Sequence, residues 1–370
     1  MNARFVIARP DLSSALDKTA KALSSAPTES VLKNFLIEAV EGGVWISASD
    51  KVVTRSTFVK AHVQDAGRFL LPAAKGQEIV KKSTGQVIAM GMKDDGFLNS
   101  VCGTFHAKIP TRSVDSYPDT GVDGYHAETH EVGMLELYPA ILSVRRAMAL
   151  NLSGLAQVSI KGGKVRAADG VWFQEAPLPG AKALEMGIPF VAVDDVLAFL
   201  ANNKGTVKIS LTDSGVVVLR RDRDMMSFRL PAQKAPNLDK AFTAPLMTNK
   251  DDLTINRMDL KAAIGRMAIT ADSETQAISL ALSAATIDSV VVSARSRDGS
   301  WSDEPVRCNW VGDTRKILLH KDYILNALSA FTSDEVTLKL GPDAPASPSQ
   351  VLIQAEGKSS VLNQLRSDLL

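Results

Sequence analysis

One short apolar phrase occurs three times along this 370-residue chain, and that repetition limits the folds open to it more than any other feature. Ile7-x4-Leu12-x2-Ala15-Leu16-x3-Ala20 returns as Val132-x4-Leu137-x2-Ala140-Ile141 and as Ile255-x4-Leu260-x2-Ala263-Ile264-x3-Ala268. The offsets are about 125 and 248 residues, so the repeating unit is one third of the chain.

A second landmark keeps the same order. Phe69-Leu70-Leu71-Pro72 leads into 76–82, Pro189-Phe190-Val191-Ala192 into 196–201, and Ile317-Leu318-Leu319-His320 into 323–329. Each reads as a strand-like tetrad running into a helix, after which Val87, Val207 and Val336 open an alternating run. Each third therefore predicts an early helix, a middle helix and short strands joined by Gly-containing turns, an α+β pattern dominated by antiparallel sheet.

The chain has enough apolar material for three cores of a common domain size, since 45% of its residues are hydrophobic. The formal charge of +1 excludes coating of nucleic acid by bulk charge, but leaves open a basic surface balanced by acid elsewhere. Cys102 and Cys308 fall in different thirds and form no CxxC pair, so neither a disulfide framework nor a zinc site is expected. With no apolar run of membrane-spanning length and no signal-like start, the expectation is a cytoplasmic protein without membrane contact.

Glu41-Gly42-Gly43 and Lys161-Gly162-Gly163 sit at matching places between alternating runs and predict hairpins. Asp50 and Asp169 recur just after them. A turn-stabilising aspartate explains that recurrence better than a catalytic pair, because repeats copy folding signals. Polar stretches at 119–129 and 242–252 are the candidate boundaries, which gives domains of 1–124, 125–246 and 247–370.

The six helix stretches (10–24, 73–84, 134–150, 192–204, 256–271 and 320–332) are together net positive, whereas the rest of the chain is net negative. Small residues such as Ser13, Ser14, Ala22, Ala147 and Ala262 leave them a narrow apolar stripe, so one side packs on sheet and the other is free to face phosphate.

Catalytic and metal signatures are missing. His126-Ala127-Glu128-Thr129-His130 is not HExxH and lies in a boundary stretch, and no phosphate-binding GxxxxGK[ST] or nucleophile elbow occurs. Cys102 and His106 would meet on a helix, but 99–109 alternates as a strand, which would hold them far apart. The expectation is a binding or scaffold protein that is not an enzyme and uses no cofactor or metal.

Taken together, Phe5 to Leu23, Ala48-Ser49-Asp50, Leu70-Leu71-Pro72-Ala73, Ile109-Pro110, Ser116-Tyr117-Pro118-Asp119, Ala167-Ala168-Asp169-Gly170 and Ala235-Pro236-Asn237-Leu238 resemble the bacterial sliding clamps, the beta subunits of replicative DNA polymerases. The resemblance runs nearly end to end. It implies an α+β chain of three tandem clamp domains, each with two helices packed on antiparallel sheet. Two such chains would join head to tail in a closed six-domain ring around double-stranded DNA. The implied partners are DNA without sequence preference, a second copy of the chain, a DNA polymerase, an ATP-driven clamp loader and other proteins bearing clamp-binding motifs.

Site residues follow from the resemblance position by position. Lys75, Lys81 and Lys82 match basic DNA-facing positions, and Lys18, Lys21, Arg145, Arg146, Lys261 and Arg266 are candidate additions. Ala26, Ala74 and the pair Asp194-Asp195 stand where basic residues are usual, and the loop after Met148 is short, which implies weakened DNA contacts. The implied peptide pocket comprises Leu152, Ala168, Gly170, Val171, Trp172, Phe173, Pro236, Lys240 and Ala241, with Leu365, Leu369 and Leu370 from the tail. Val171-Trp172 replaces polar and basic residues, which implies a more apolar pocket. The tail Gln364-Leu365-Arg366-Ser367-Asp368-Leu369-Leu370 itself looks like a partner peptide, so it is a candidate competitor for that pocket. Phe105 and Ala107 on one side, and Ile269 and Thr270 on the other, match the subunit interface. The alternative is a clamp-derived regulator that keeps the fold and pocket without closing on DNA.

Overall fold

The structure is a computed structural model that describes residues 3–23, 29–92, 96–118, 120, 129–152, 154–201, 204–341 and 349–365. Its contacts divide into two compact units, Met1–Met134 with Asp194–Leu230 and Leu135–Val193 with Pro231–Leu370. Seven α-helices lie among the described residues: α1 (Arg9–Thr19), α2 (Ala73–Lys82), α3 (Met134–Val144), α4 (Phe190–Leu200), α5 (Asp239–Thr248), α6 (Arg257–Met267) and α7 (Lys321–Ser329).

The first unit holds two antiparallel sheets. One has five strands in the order His62–Asp65, Arg4–Ala8, Val87–Met92, Phe97–Cys102, Phe105–Pro110. The other has eight, in the order Thr129–Gly133, Thr206–Leu211, Val216–Arg221, Asp224–Arg229, Val53–Lys60, Gly43–Ser49, Asn34–Val40, Gly67–Pro72. Between them Phe5, Phe35, Ile37, Ile46, Phe69 and Ile88 are fully buried, and α1 adds Leu12, Ala15 and Leu16. Each such large side chain removed from water contributes about 1.5–3 kcal/mol. The spacing of the α1 residues keeps them on one helical face and leaves Asp17 and Lys18 exposed.

The second unit has one twelve-stranded antiparallel sheet. Its order is Met186–Pro189, Gln157–Lys161, Lys164–Ala168, Trp172–Pro177, Lys358–Asn363, Gln350–Ala355, Glu335–Leu340, Asp251–Asn256, Trp301–Val311, Thr286–Arg295, Ala277–Ser283, Arg315–His320. Strand Trp301–Val311 serves two neighbours: residues 301–307 pair with Thr286–Arg295, while 308–311 pair with Asp251–Asn256.

The sequence echoes have a structural cause. The first residue of each early helix donates its backbone N–H to the carbonyl just before the next alternating strand: Arg9 to Gln86 at 2.9 Å, Met134 to Gly205 at 2.9 Å, and Arg257 to Asp334 at 2.7 Å. Both glycine hairpins form. Val40 pairs with Gly43, and Lys161 pairs with Lys164 across Gly162 and Gly163, whose φ of 59° and 75° is the twist a two-residue turn needs. Asp50 Oδ1 accepts from the backbone of Val52 and Val53, and Asp169 Oδ1 from Val171 and Trp172, so both are turn aspartates.

Three local expectations are corrected. Residues 99–109 are a hairpin, with Cys102 opposite Phe105 and Val101 opposite His106. Cross-strand partners share a face, so Cys102 and His106 point to opposite sides. In the second copy the strand stops at Pro189, and Phe190 to Ala192 already form the first turn of α4. The boundary stretch 242–252 is largely helix: Asn237 Oδ1 accepts from the Asp239 N–H at the start of α5, and Pro245 sits inside the helix near its end. The His126-Ala127-Glu128 segment lies outside the described residues, as do most of 119–129.

Candidate nucleic-acid interface and peptide pocket

In the first unit the candidate DNA cations lie on the exposed faces of α1 and α2 and, for Lys21, in the 3-10 turn Ala20–Ala22 that follows α1. Lys18 closes the last turn of α1, Lys81 and Lys82 close α2, and the negative end of each helix dipole favours a cation there. Asp17 on α1 links the two helices, accepting from Gln77 Nε2 and pairing with Lys81, each at 3.2 Å. Lys18 pairs with Asp224 at 3.2 Å and Lys82 with Glu78 one turn back, while Lys75 is exposed at the start of α2. The Lys81 and Lys82 pairs face solvent, where ion pairs are weak and exchangeable, whereas Asp224 is largely buried and holds Lys18 more firmly. Asp195 is not a free negative charge, because its carboxylate accepts from Arg55 Nη2 at 3.0 Å.

In the second unit the cations fall into two groups. Arg146 reaches Asn326 Oδ1 on α7 at 2.9 Å, and Lys261 on α6 donates to Ser329 Oγ, also on α7, at 3.0 Å. Burial together with the charges of Arg257 and Arg146 holds the Lys261 ammonium below its ordinary pKa. An anion bound beside these like charges would relieve their repulsion. Arg145 lies beside Arg146 in the 3-10 turn Arg145–Ala147. Arg266, at the end of α6, is instead bidentate to Glu304 at 2.7 and 2.5 Å, and it holds the Glu304 carboxyl below the usual range.

The candidate pocket residues gather on one region of the second unit. Gly170 and Leu152 adjoin, and Pro236 lies beside Gly154. The core beneath is Ala168, Leu238, Phe242, Leu352 and Val361, against which Phe173 packs. Lys240 and Ala241 belong to α5. Leu152, Gly170, Val171, Pro236 and Lys240 are exposed.

Two expectations here need correction. Trp172 is 1% exposed: its indole donates to Ser360 Oγ at 2.8 Å and its ring meets Tyr323 at 6.2 Å, so it supports the pocket floor without presenting an apolar face. Ala168 is buried as well. The exposed apolar group in this turn is Val171 alone. The tail is partly held: Gln364 Nε2 donates to Ser349 Oγ at 2.5 Å, and the Leu365 N–H donates to the Leu318 carbonyl at 2.9 Å. Leu369 and Leu370 lie outside the described residues.

His320 and Tyr323 join this site although sequence reasoning missed them. His320 caps α7 by accepting the Asp322 N–H and lies 5.0 Å from the Tyr323 ring. Burial lowers the His320 pKa, and burial together with Asp169 raises that of Tyr323. The strand-to-helix landmark that ends at His320 was the signal that could have drawn them in.

Of the four candidate interface residues, Phe105 is 45% exposed and lies with Ala107 on strand Phe105–Pro110, an edge of the five-stranded sheet. Ile269 is 84% exposed, and Thr270 Oγ1 meets Ser302 Oγ at 2.5 Å, beside the side of residues 301–307 that has no strand neighbour among the described residues. No group of three or more His, Cys, Asp or Glu among the described residues is arranged to hold a metal ion. No helix among the described residues is long and apolar enough to cross a membrane.

Comparison with known proteins gives the fold and the family. The sequence profile of the DNA polymerase III beta subunit N-terminal domain matches residues 3–121, and that of its C-terminal domain matches 247–363. The beta sliding clamp of Synechococcus elongatus is 22% identical over 354 residues, covering 91% of this chain and 92% of its own. The DNA polymerase III beta subunit of Pseudomonas aeruginosa superposes with a TM-score of 0.84 at 19% identity, covering 98% of this chain and all of its own. The sliding clamp of Bacillus subtilis gives 0.83 at 18%, covering 99% and 100%. The chain belongs to the DNA polymerase III beta subunit family, the bacterial sliding clamps.

Proposed function

We propose that two copies of this chain close head to tail into a six-domain ring that encircles duplex DNA and tethers a polymerase without catalysing a reaction. The observation that carries this is a repeated sheet junction. In the first unit, strand Asp224–Arg229 adds to strand Val53–Lys60; in the second, Lys358–Asn363 adds to Trp172–Pro177. With domains at 1–124, 125–246 and 247–370, each junction joins the last strand of one repeat to the fourth strand of the repeat before it. By the same rule the last strand of the first repeat, Phe105–Pro110, adds to Trp301–Val311 of a second protomer. Two such junctions close a ring, and a closed ring removes every open edge at these places.

Within the ring the cations of α1, α2, the Arg145–Ala147 turn and α6 face the DNA backbone, giving weak phosphate contacts without base readout, as sliding requires. Gly170, Val171, Pro236, Lys240 and their neighbours receive partner peptides from the polymerase, an ATP-driven loader and other clamp-binding proteins in the cytoplasm. Family membership favours this over the reading as a regulator that does not close on DNA. The test is to load the protein onto nicked circular DNA and then linearise it. A ring slides off the ends, whereas a charge-held binder stays on the linear DNA and dissociates steeply with salt. Retention after linearisation would refute the proposal.

A further inference from the structure

A small cleft in the first unit, about 70 Å³ in volume, is lined by Lys18, Lys21, Arg55, Thr57, Arg221 and Asp224. It has room for several waters or for one tetrahedral oxyanion. Its charge is unbalanced. Asp224 alone answers Lys18 at 3.2 Å and Arg221 at 3.6 Å while also accepting from Thr57 at 3.0 Å, and Asp195 is committed to one nitrogen of Arg55.

Two guanidinium nitrogens remain. The Arg55 side chain is 9% exposed, yet its Nε has no hydrogen-bond partner, and Arg221 Nη1 is buried in the same condition. Arginine keeps its charge when buried, so an orphaned guanidinium N–H costs free energy until an acceptor meets it. The Arg221 guanidinium is stacked 4.6 Å above the Phe199 ring, which limits its freedom to turn toward solvent. Two arginines, each with an unpaired N–H, and two lysines lining a cavity of this size suit an acceptor with several oxygens in a compact geometry.

We propose that this cleft binds a single phosphate group, with the Arg55 and Arg221 guanidinium groups turning their unpaired N–H donors to its oxygens and Lys21 supplying charge at the mouth. The phosphate comes either from solution or from a DNA backbone, and only the second source rests on the clamp reading.

The test uses the full-length protein at constant ionic strength. Calorimetric titration with inorganic phosphate is expected to show one saturable site, weakened at least tenfold in Arg221→Gln and measurably in Lys21→Gln, an exposed position that carries the test if Arg221→Gln does not fold. In parallel, affinity for a short duplex is measured against salt. If the backbone is the source, Lys21→Gln and Arg221→Gln each reduce the slope of log K against log salt by about one. A flat phosphate titration together with an unchanged slope in both variants overturns the proposal. Lys261→Gln, remote from the cleft in sequence and in the other unit, is the control for the phosphate titration, which it should leave unchanged. If it leaves duplex binding intact, the DNA-facing assignment of Lys261 fails, while the phosphate titration still decides the cleft.

Discussion

Arg166 on strand Lys164–Ala168 reaches Asp239 at 2.7 Å and so fastens the first turn of α5 to the sheet beneath the proposed peptide pocket. The same guanidinium bonds Glu175 through Nε at 2.7 Å and lies 5.5 Å from the Phe242 ring centroid. One side chain thus fixes the helix that carries Lys240 and Ala241 relative to the turn that carries Gly170 and Val171.

Arg166→Met is expected to cost about 1–3 kcal/mol in denaturant unfolding, because Glu175 is buried and keeps only Lys164 as a partner. It should also weaken binding of a polymerase-derived peptide. Asp239→Asn isolates the exposed half of the network. The Arg166 hydrogen bond and charge hold the Asp239 carboxyl below its ordinary range. A depressed carboxyl pKa stabilises fully above the unfolded value of about 3.9 and loses that contribution as pH falls through the folded value. The melting-temperature difference between wild type and Asp239→Asn should therefore hold from neutral pH to about pH 4 and vanish in stronger acid. A difference that grows in acid would contradict the assignment.

Lys261 predicts a trade between stability and binding. Its ammonium is disfavoured by burial and by Arg257 and Arg146. A basic group with a lowered folded pKa destabilises the protein at pH values where it is charged, and the penalty fades as pH rises through that pKa. Lys261→Gln should leave Tm unchanged or raised near neutral pH while weakening duplex binding and reducing the salt slope by about one. Thermal melts and fluorescence anisotropy on the same preparations check this; a lowered Tm with unchanged DNA affinity would assign Lys261 to structure alone.

Elements set by local rules were legible in the sequence. The Gly-Gly turns, the aspartates after them and the α1, α2, α6 and α7 helices all depend on neighbours a few residues away. The features that escaped depend on long-range partners. Trp172 reads as a surface aromatic until Ser360, 188 residues later, is seen to accept its indole. α5 was hidden because Pro245 signals a break, and nothing local announces that Arg166 holds its first turn. The exposed lysines could be named, but their competitors Asp224 and Asp17 could not be paired with them, because sequence spacing does not tell which carboxylate a helix face meets.

The proposed ring places Phe105 and Ile269 in contact across protomers, where large exposed apolar side chains become buried. Phe105→Asp and Ile269→Asp are each expected to shift the solution mass, measured by sedimentation equilibrium, from twice 39.6 kDa towards 39.6 kDa. Because both residues are exposed in the single chain, thermal stability at low concentration should change little. The variants should also lose retention on circular DNA, separating ring closure from folding.

Val171 and Trp172 are adjacent in sequence yet predict opposite outcomes. Trp172→Ala removes a fully buried ring and is expected to cost about 3–5 kcal/mol in denaturant unfolding, and Ser360→Ala about 1–3 kcal/mol by orphaning the indole N–H. Val171→Lys places a charge at an exposed position and should leave stability within about 0.5 kcal/mol. Its effect should fall on peptide binding, where it replaces the apolar group that this turn offers to solvent. Equilibrium unfolding and peptide titration on the three variants check the assignment. Peptide affinity that tracks Trp172→Phe, in a variant still fully folded, with Val171→Lys silent, would instead mean that the indole rotates out to meet the peptide.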